Sequence, residues 1–346
     1  MSEDLVFDFE RVRVHGFGLY EGTALDVRAV IAGMPRDVRD GFLLEEVPWR
    51  RFSHAYGSGE NVPDYLERMR SADAATADNA LSSLWNSVCH QGTRCSVAPL
   101  TVPFLLRIAA DRATHYRADG LFLVAVVARR NYWDDGSRTG LLRVADADEE
   151  VRCDMSGHPQ TWSVRAARDA IAADAHIPIA LLDDPDLEVR EAAAYVVAAS
   201  SGRAWEISAA LHERFRIEEV PRLRAGLILA IAQLAREHRH EDAAGFTRAC
   251  WSDPARPAEV RFGAALGWLC LVDDPAPDDL RAVLDETVTH ELGLLMAEVP
   301  WIRQVDDDGA GLTHTLNRMF DPGAHQPPTC DDPWADPEGF GDDPPF

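Results

Sequence analysis

An all-α fold, an α-α superhelix of stacked helix pairs, is predicted by three features of the sequence. The composition favours helix, with abundant Ala, Leu and Arg and few aromatic residues (8%) among 346. Apolar residues recur at helical spacing from about position 47 to 320. A short motif, apolar–Arg–x–small, returns at Val189-Arg190-Glu191-Ala192, Leu223-Arg224-Ala225-Gly226 and Val260-Arg261-Phe262-Gly263, its arginines 34 and then 37 positions apart. A period of that length, made of two helices, is the signature of an α-solenoid. The position two after each Arg is small, and Gly inside a helix costs roughly 0.5–1 kcal/mol against Ala, so its reuse implies close approach of a paired helix.

The elements follow in order. Residues 1–46 do not share the helical spacing and read as an N-terminal extension; the alternation of Phe7, Phe9, Val12 and Val14 with charged residues suggests a short strand. Val62-Pro63 opens a helix, since Pro in the first turn loses no hydrogen bond. Further helices are expected over 76–89, 97–110 and 117–130, then a long loop at 131–160 carrying Tyr132-Trp133-Asp134-Asp135. Ile177 to Ala198 reads as helix, turn, helix, with Asp183-Asp184-Pro185-Asp186 as the turn: Asp side chains accept from nearby backbone N–H groups and Pro sets the dihedral. Val164-Arg165-Ala166-Ala167 carries the same local pattern only 25 positions before Arg190, on a helix running toward Pro178, so the motif alone does not mark a second helix. A helix over 278–292 and two segments at 294–305 and 312–320 would close the array. Residues 321–346 form an acidic, Pro-rich tail that cannot bury a core and is expected to be disordered.

The formal net charge is −24, and all 34 basic residues are Arg. Such a surface disfavours nucleic-acid backbones and anionic membranes. It suits a basic partner, or simple solubility, which is the plainer reading. The absence of Lys matches GC-rich codon usage and carries no functional reading. Six cysteines lie scattered without a paired framework, the N-terminus lacks an apolar leader, and the longest apolar run, Leu121 to Ala128, falls far short of the ~20 residues of a membrane span. A cytoplasmic setting with free thiols is expected.

The stretch from Ile177 to Ala198, with Pro in the first helix, an Asp-bearing turn and Val-Arg opening the second, resembles a HEAT repeat. The resemblance implies a ladder of turn acids and second-helix arginines, here Asp184 with Arg190 and Glu218 with Arg224, each acid six positions before its Arg; at Arg261 the sixth position is Ala255, so Asp253 would substitute. A narrower likeness, Trp49 through Ala110 with His54-Ala55-Tyr56-Gly57, His90-Gln91-Gly92-Thr93 and Val102-Pro103-Phe104, is similar to HEAT-repeat proteins of unassigned function from actinobacteria. Together the two cover roughly 47–300. Helical-repeat proteins also serve as immunity proteins against secreted toxins, and some HEAT-like proteins are DNA glycosylases or bilin lyases, which gives the alternative classes.

Candidate sites are few. Cys89, His90 and Cys95 are zinc-ligand types, but no second pair stands at finger spacing. His90-Gln91-Gly92 reads better as a helix C-cap. His238 and His240 lack the His-Glu-x-x-His pairing, and no phosphate-binding or nucleophile-elbow motif occurs. Carboxylate pairs such as Asp183-Asp184 and Asp273-Asp274 fall in turns. No catalytic residue, cofactor or metal is therefore expected. A partner surface is expected at Tyr132, Trp133, Asp134 and Asp135, with His54, Tyr56, His90 and Gln91, because exposed aromatics make good anchors; Arg190, Arg224 and Arg261 read first as structural. The sequence reading is a non-enzymatic scaffold that binds another protein.

Overall fold

The computed structural model describes residues 7–130, 136–145, 152–240 and 242–303, together with Leu312, Leu316, Met319 and Phe320. Helices dominate it. Among the described residues the regular β-structure is a two-stranded hairpin, β1 (Ser53–His54) and β2 (Gly57–Ser58), antiparallel with Ser53 opposite Ser58 and His54 opposite Gly57.

The N-terminal region departs from expectation. Where a short strand was anticipated, Phe9–His15 is a helix, α1, capped by the Asp8 carboxylate on Arg11 N–H and ended by Gly16 at φ 72°. Phe9 and Val12, three positions apart, share one face of a helix and are both buried, whereas in a strand they would point to opposite faces. Two further helices, α2 (Val27–Gly33) and α3 (Arg36–Asp40), follow. They belong to the body: Arg39 of α3 reaches the buried Asp174 carboxylate at 2.7 Å, which also takes Arg107 at 2.9 Å.

The helices after the hairpin mostly pack as consecutive pairs. α4 (Val62–Met69) packs with α5 (Ala74–Val88), and α6 (Ala98–Ala110) with α7 (Arg117–Val127). α8 (Gln160–Ala173) is followed by the short α9 (His176–Leu181), which packs with α10 (Leu187–Val197). α11 (Ala204–Ile217) packs with α12 (Pro221–His238), and α13 (Ala243–Trp251) with α14 (Ala258–Leu271). The second members also stack on one another: α7 on α10, α10 on α12, α12 on α14. Burial follows from this layering. α14 is buried at every position from Val260 to Cys270, as a helix flanked on several sides must be, whereas α11 buries only Ile207, Leu211 and Phe215, one stripe at four-residue spacing.

Beyond α14 the expected single helix over 278–292 is two, α15 (Asp278–Thr287) and α16 (His290–Met296); Thr289, whose hydroxyl caps Leu292 N–H, starts the second afresh. A last turn, α17 (Pro300–Arg303), then lies against α10 and α12. Trp301 is buried there, edge-on to Tyr195 at 4.7 Å and donating to Gln233 Oε1 at 2.7 Å. Of the long loop, residues 136–145 turn back on the body: Leu141, Leu142 and Val144 are buried, and Arg138 donates to the carbonyls of Leu269 and Val272 at the end of α14.

Candidate functional site: an acidic cleft on the second helices

Two of the arginines expected to pair within their own hairpins, Arg190 and Arg261, reach carboxylates of other hairpins. Arg190 donates through Nε to Glu218 at 3.1 Å and through Nη1 to the Asp184 carbonyl at 2.9 Å. The Asp184 carboxylate belongs instead to Arg117, 2.6 Å away, and accepts from Asp186 N–H within its own turn. Arg261 donates to the Trp251 carbonyl and to Glu286, while Asp253 pairs with Arg256. Each of these arginines (117, 190 and 261) thus grips a carbonyl near the end of its own preceding helix, Ala109 for Arg117, and a carboxylate of the following unit. The expected Glu218–Arg224 rung is absent: Arg224 lies over the Phe215 ring at 4.6 Å. The six-residue spacing placed acid and Arg on one hairpin, but the side chains reach across hairpins.

Of the expected partner surface, Tyr132, Trp133, Asp134 and Asp135 lie outside the described residues. Tyr56, His54 and His90 come together: Tyr56 is 67% exposed, its hydroxyl 3.3 Å from His90 Nδ1, with its ring 6.2 Å from that of His54. His54 ends β1 and is buried rather than on the surface. It is 5% exposed; its Nδ1 accepts from Tyr56 N–H, which leaves Nε2–H to donate to Asn61 Oδ1 at 2.8 Å. Gln91 stands in the left-handed region at φ 46°, next to Gly92 at φ 81°, closing the turn after α5. Among the described residues no three His, Cys, Asp or Glu side chains converge as a metal site would require. Cys95, weighed with Cys89 and His90 as a zinc-ligand type and set aside, is buried, and burial pushes its thiol up to about 12.

A concave feature among the described residues lies elsewhere. A cavity of about 690 Å³ opens between α5, α7, α10, the start of α12 and the segment entering α17. Its aromatic wall is formed by Trp85 and Phe122, almost parallel (9°) with centroids 6.0 Å apart; behind it the buried Tyr195 stacks on Phe122 at 5.9 Å. Tyr116, at the N-cap of α7 with φ 53°, adds a further ring to the lining. The charged lining is mostly acidic. Asp78, Asp119, Glu188, Glu191 and Glu298 face two guanidiniums, those of Arg222 and Arg303.

Glu191 is the unusual member. One oxygen, Oε2, pairs with Arg222 at 3.1 Å; the other, Oε1, is fully buried and has no hydrogen-bond partner. Burial pushes its carboxyl up to about 7, against the pull of Arg222 and with the help of Glu298 and Glu188. Arg222 has the complementary defect, a buried Nε without an acceptor. Sequence reasoning missed this residue, although a signal was present: the position after the repeated Arg is Glu191, Ala225 and Phe262, and the other two are fully buried apolar residues.

Comparison of the chain with protein-family models, with curated proteins and with solved structures returned no match. Among the described residues no helix is long and apolar enough to cross a membrane.

Proposed function

We propose that the chain is a HEAT-like helical-repeat scaffold, an α-α superhelix whose second helices bind another protein, and that it carries out no reaction of its own. The observation that carries this reading is the acidic, aromatic-walled cleft formed where α5, α7, α10 and α12 run side by side. A row of stacked helices offers an extended surface to which successive units each contribute side chains. Its excess of carboxylates selects a basic segment, and aromatic rings supply the area that anchors it. A glycosylase would need the opposite sign of charge around its nucleic acid.

The test is affinity capture with the full chain and with a double variant, Asp119→Asn with Glu188→Gln, each at low and moderate salt. The expected result is a basic protein retained by the natural chain, lost as salt rises and retained poorly by the variant. Retention by both proteins alike, insensitive to salt, would place the partner on another surface.

A further inference from the structure

We infer that the cleft is a receptor site for a single arginine side chain of a partner's extended segment, its guanidinium received by Glu191 Oε1 beside the Trp85–Phe122 wall. This rests on the protein-binding reading, since a partner chain carries the arginine. Four observations support it, and each constrains the ligand in a different way.

Charge sets the sign. Five carboxylates against two guanidiniums leave the lining negative, so the ligand is a cation. The unsatisfied atoms set its hydrogen-bonding pattern. Glu191 is only 8% exposed, and leaving Oε1 without a donor in such a place is costly; a ligand N–H that draws the side chain into the cleft it lines removes that penalty as well as adding an attraction. Arg222, paired with Glu191 and with its buried Nε lacking an acceptor, gains one from a peptide carbonyl beside the arginine when the pair turns into the cleft; a simple amine offers none.

The wall sets the shape. A guanidinium is planar and weakly hydrated and stacks on aromatic faces, which a compact ammonium does less well. The cleft already shows this contact, because the Arg303 guanidinium lies 5.3 Å from the Phe122 ring centre. Volume sets the length: about 690 Å³ admits one side chain with its flanking backbone.

The site also couples binding to protons. Glu191 is surrounded by Glu188 on its own helix, Arg222 from α12 and Glu298 and Arg303 from the C-terminal segment, with Asp119 of α7 and Asp78 of α5 lining the same space. A bound guanidinium favours the carboxylate, so binding releases a proton and strengthens from pH about 6 to about 8.

Titration calorimetry of the full chain with acetyl-Ala-Arg-Ala-amide, and with its lysine and citrulline counterparts, tests the assignment. The arginine peptide is expected to bind one site, the lysine peptide more weakly and the citrulline peptide not at all. Glu191→Gln, which keeps the shape, should weaken binding about tenfold or more, whereas Glu213→Gln, an exposed acid outside the cleft, should leave it unchanged. Thermal melts of both variants establish that they are folded. Equal binding of the citrulline peptide, or full affinity in Glu191→Gln, overturns the site, as does the absence of binding by any peptide. None of these results touches the scaffold reading, whose use of the cleft is tested separately by salt-sensitive capture through Asp119 and Glu188.

Discussion

Glu191 and Glu218 are both buried glutamates, yet their surroundings push their carboxyls in opposite directions. At Glu218 burial opposes ionisation, but the N–H of Val220 and the guanidiniums of Arg214 and Arg190 outweigh it and hold the carboxyl below its usual range. Stability from Glu218 is therefore present above the unfolded pKa and lost as pH falls through the lower folded one. Glu218→Ala strips a fully satisfied carboxylate from two arginines, and a loss of about 3 kcal/mol is expected in urea unfolding at neutral pH, as for other broken buried pairs. Glu191 runs the other way. Its folded pKa, about 7, lies above the ordinary 4.5, so its contribution is favourable below about 4.5 and is lost as pH rises through about 7. His158, His212 and His238, whose pKa values partial desolvation lowers, oppose this trend over part of the same range, so the total slope is not diagnostic. The difference between the natural chain and Glu191→Gln is diagnostic. It should move against the natural chain by up to about 3 kcal/mol between pH 4.5 and 8. A flat difference would mean that Glu191 ionises freely in the folded protein.

Two glycines at equivalent positions of successive helices make different demands. A Cβ on Gly263 would come within 2.8 Å of the Ala225 Cβ and 3.0 Å of its Cα, so α14 can approach α12 only because that side chain is missing. On Gly226 the nearest atom would be Trp301 Cζ3 at 3.9 Å, an ordinary contact. Gly263→Ala should thus cost about 1–3 kcal/mol through overpacking, while Gly226→Ala should gain about 0.5–1 kcal/mol from helix propensity. Chemical denaturation of the pair checks both signs at once. The recurring small residue was legible in the sequence, but only one of its instances has the expected cause. The same holds for the ladder. Asp183-Asp184-Pro185-Asp186 announced a turn, and Arg190 announced a second helix, because those signals are local. Which acid meets which arginine depends on how far one hairpin is offset from the next, and spacing within a hairpin says nothing about that offset. The cleft was less legible still: Asp78 and Glu298 are 220 positions apart and meet only because α17 returns over α10 and α12.

At the scale of the whole molecule, charge and cleft act on different steps of binding. The net charge of −24 is spread over the chain, with ten acidic residues against one Arg beyond residue 303 alone. Its field extends about a Debye length, near 10 Å at 0.1 M salt, and speeds the encounter with a basic partner without choosing its orientation. The cleft acts at contact. Removing two of its charges, with Asp119→Asn and Glu188→Gln, changes the total by a twelfth and so should leave the association rate within about twofold. The dissociation rate should rise instead, since the short-range pairs are the ones lost. Stopped-flow mixing with a captured basic partner separates the two steps. Raising salt from about 50 to about 500 mM is expected to slow association about tenfold or more for natural and variant chains alike, while only the variant dissociates faster at every salt. An association rate indifferent to salt, with dissociation unchanged by the two substitutions, would detach both the field and the cleft from binding. Faster dissociation with no salt effect on association would keep the cleft and remove the steering, because the two forces decay over different distances.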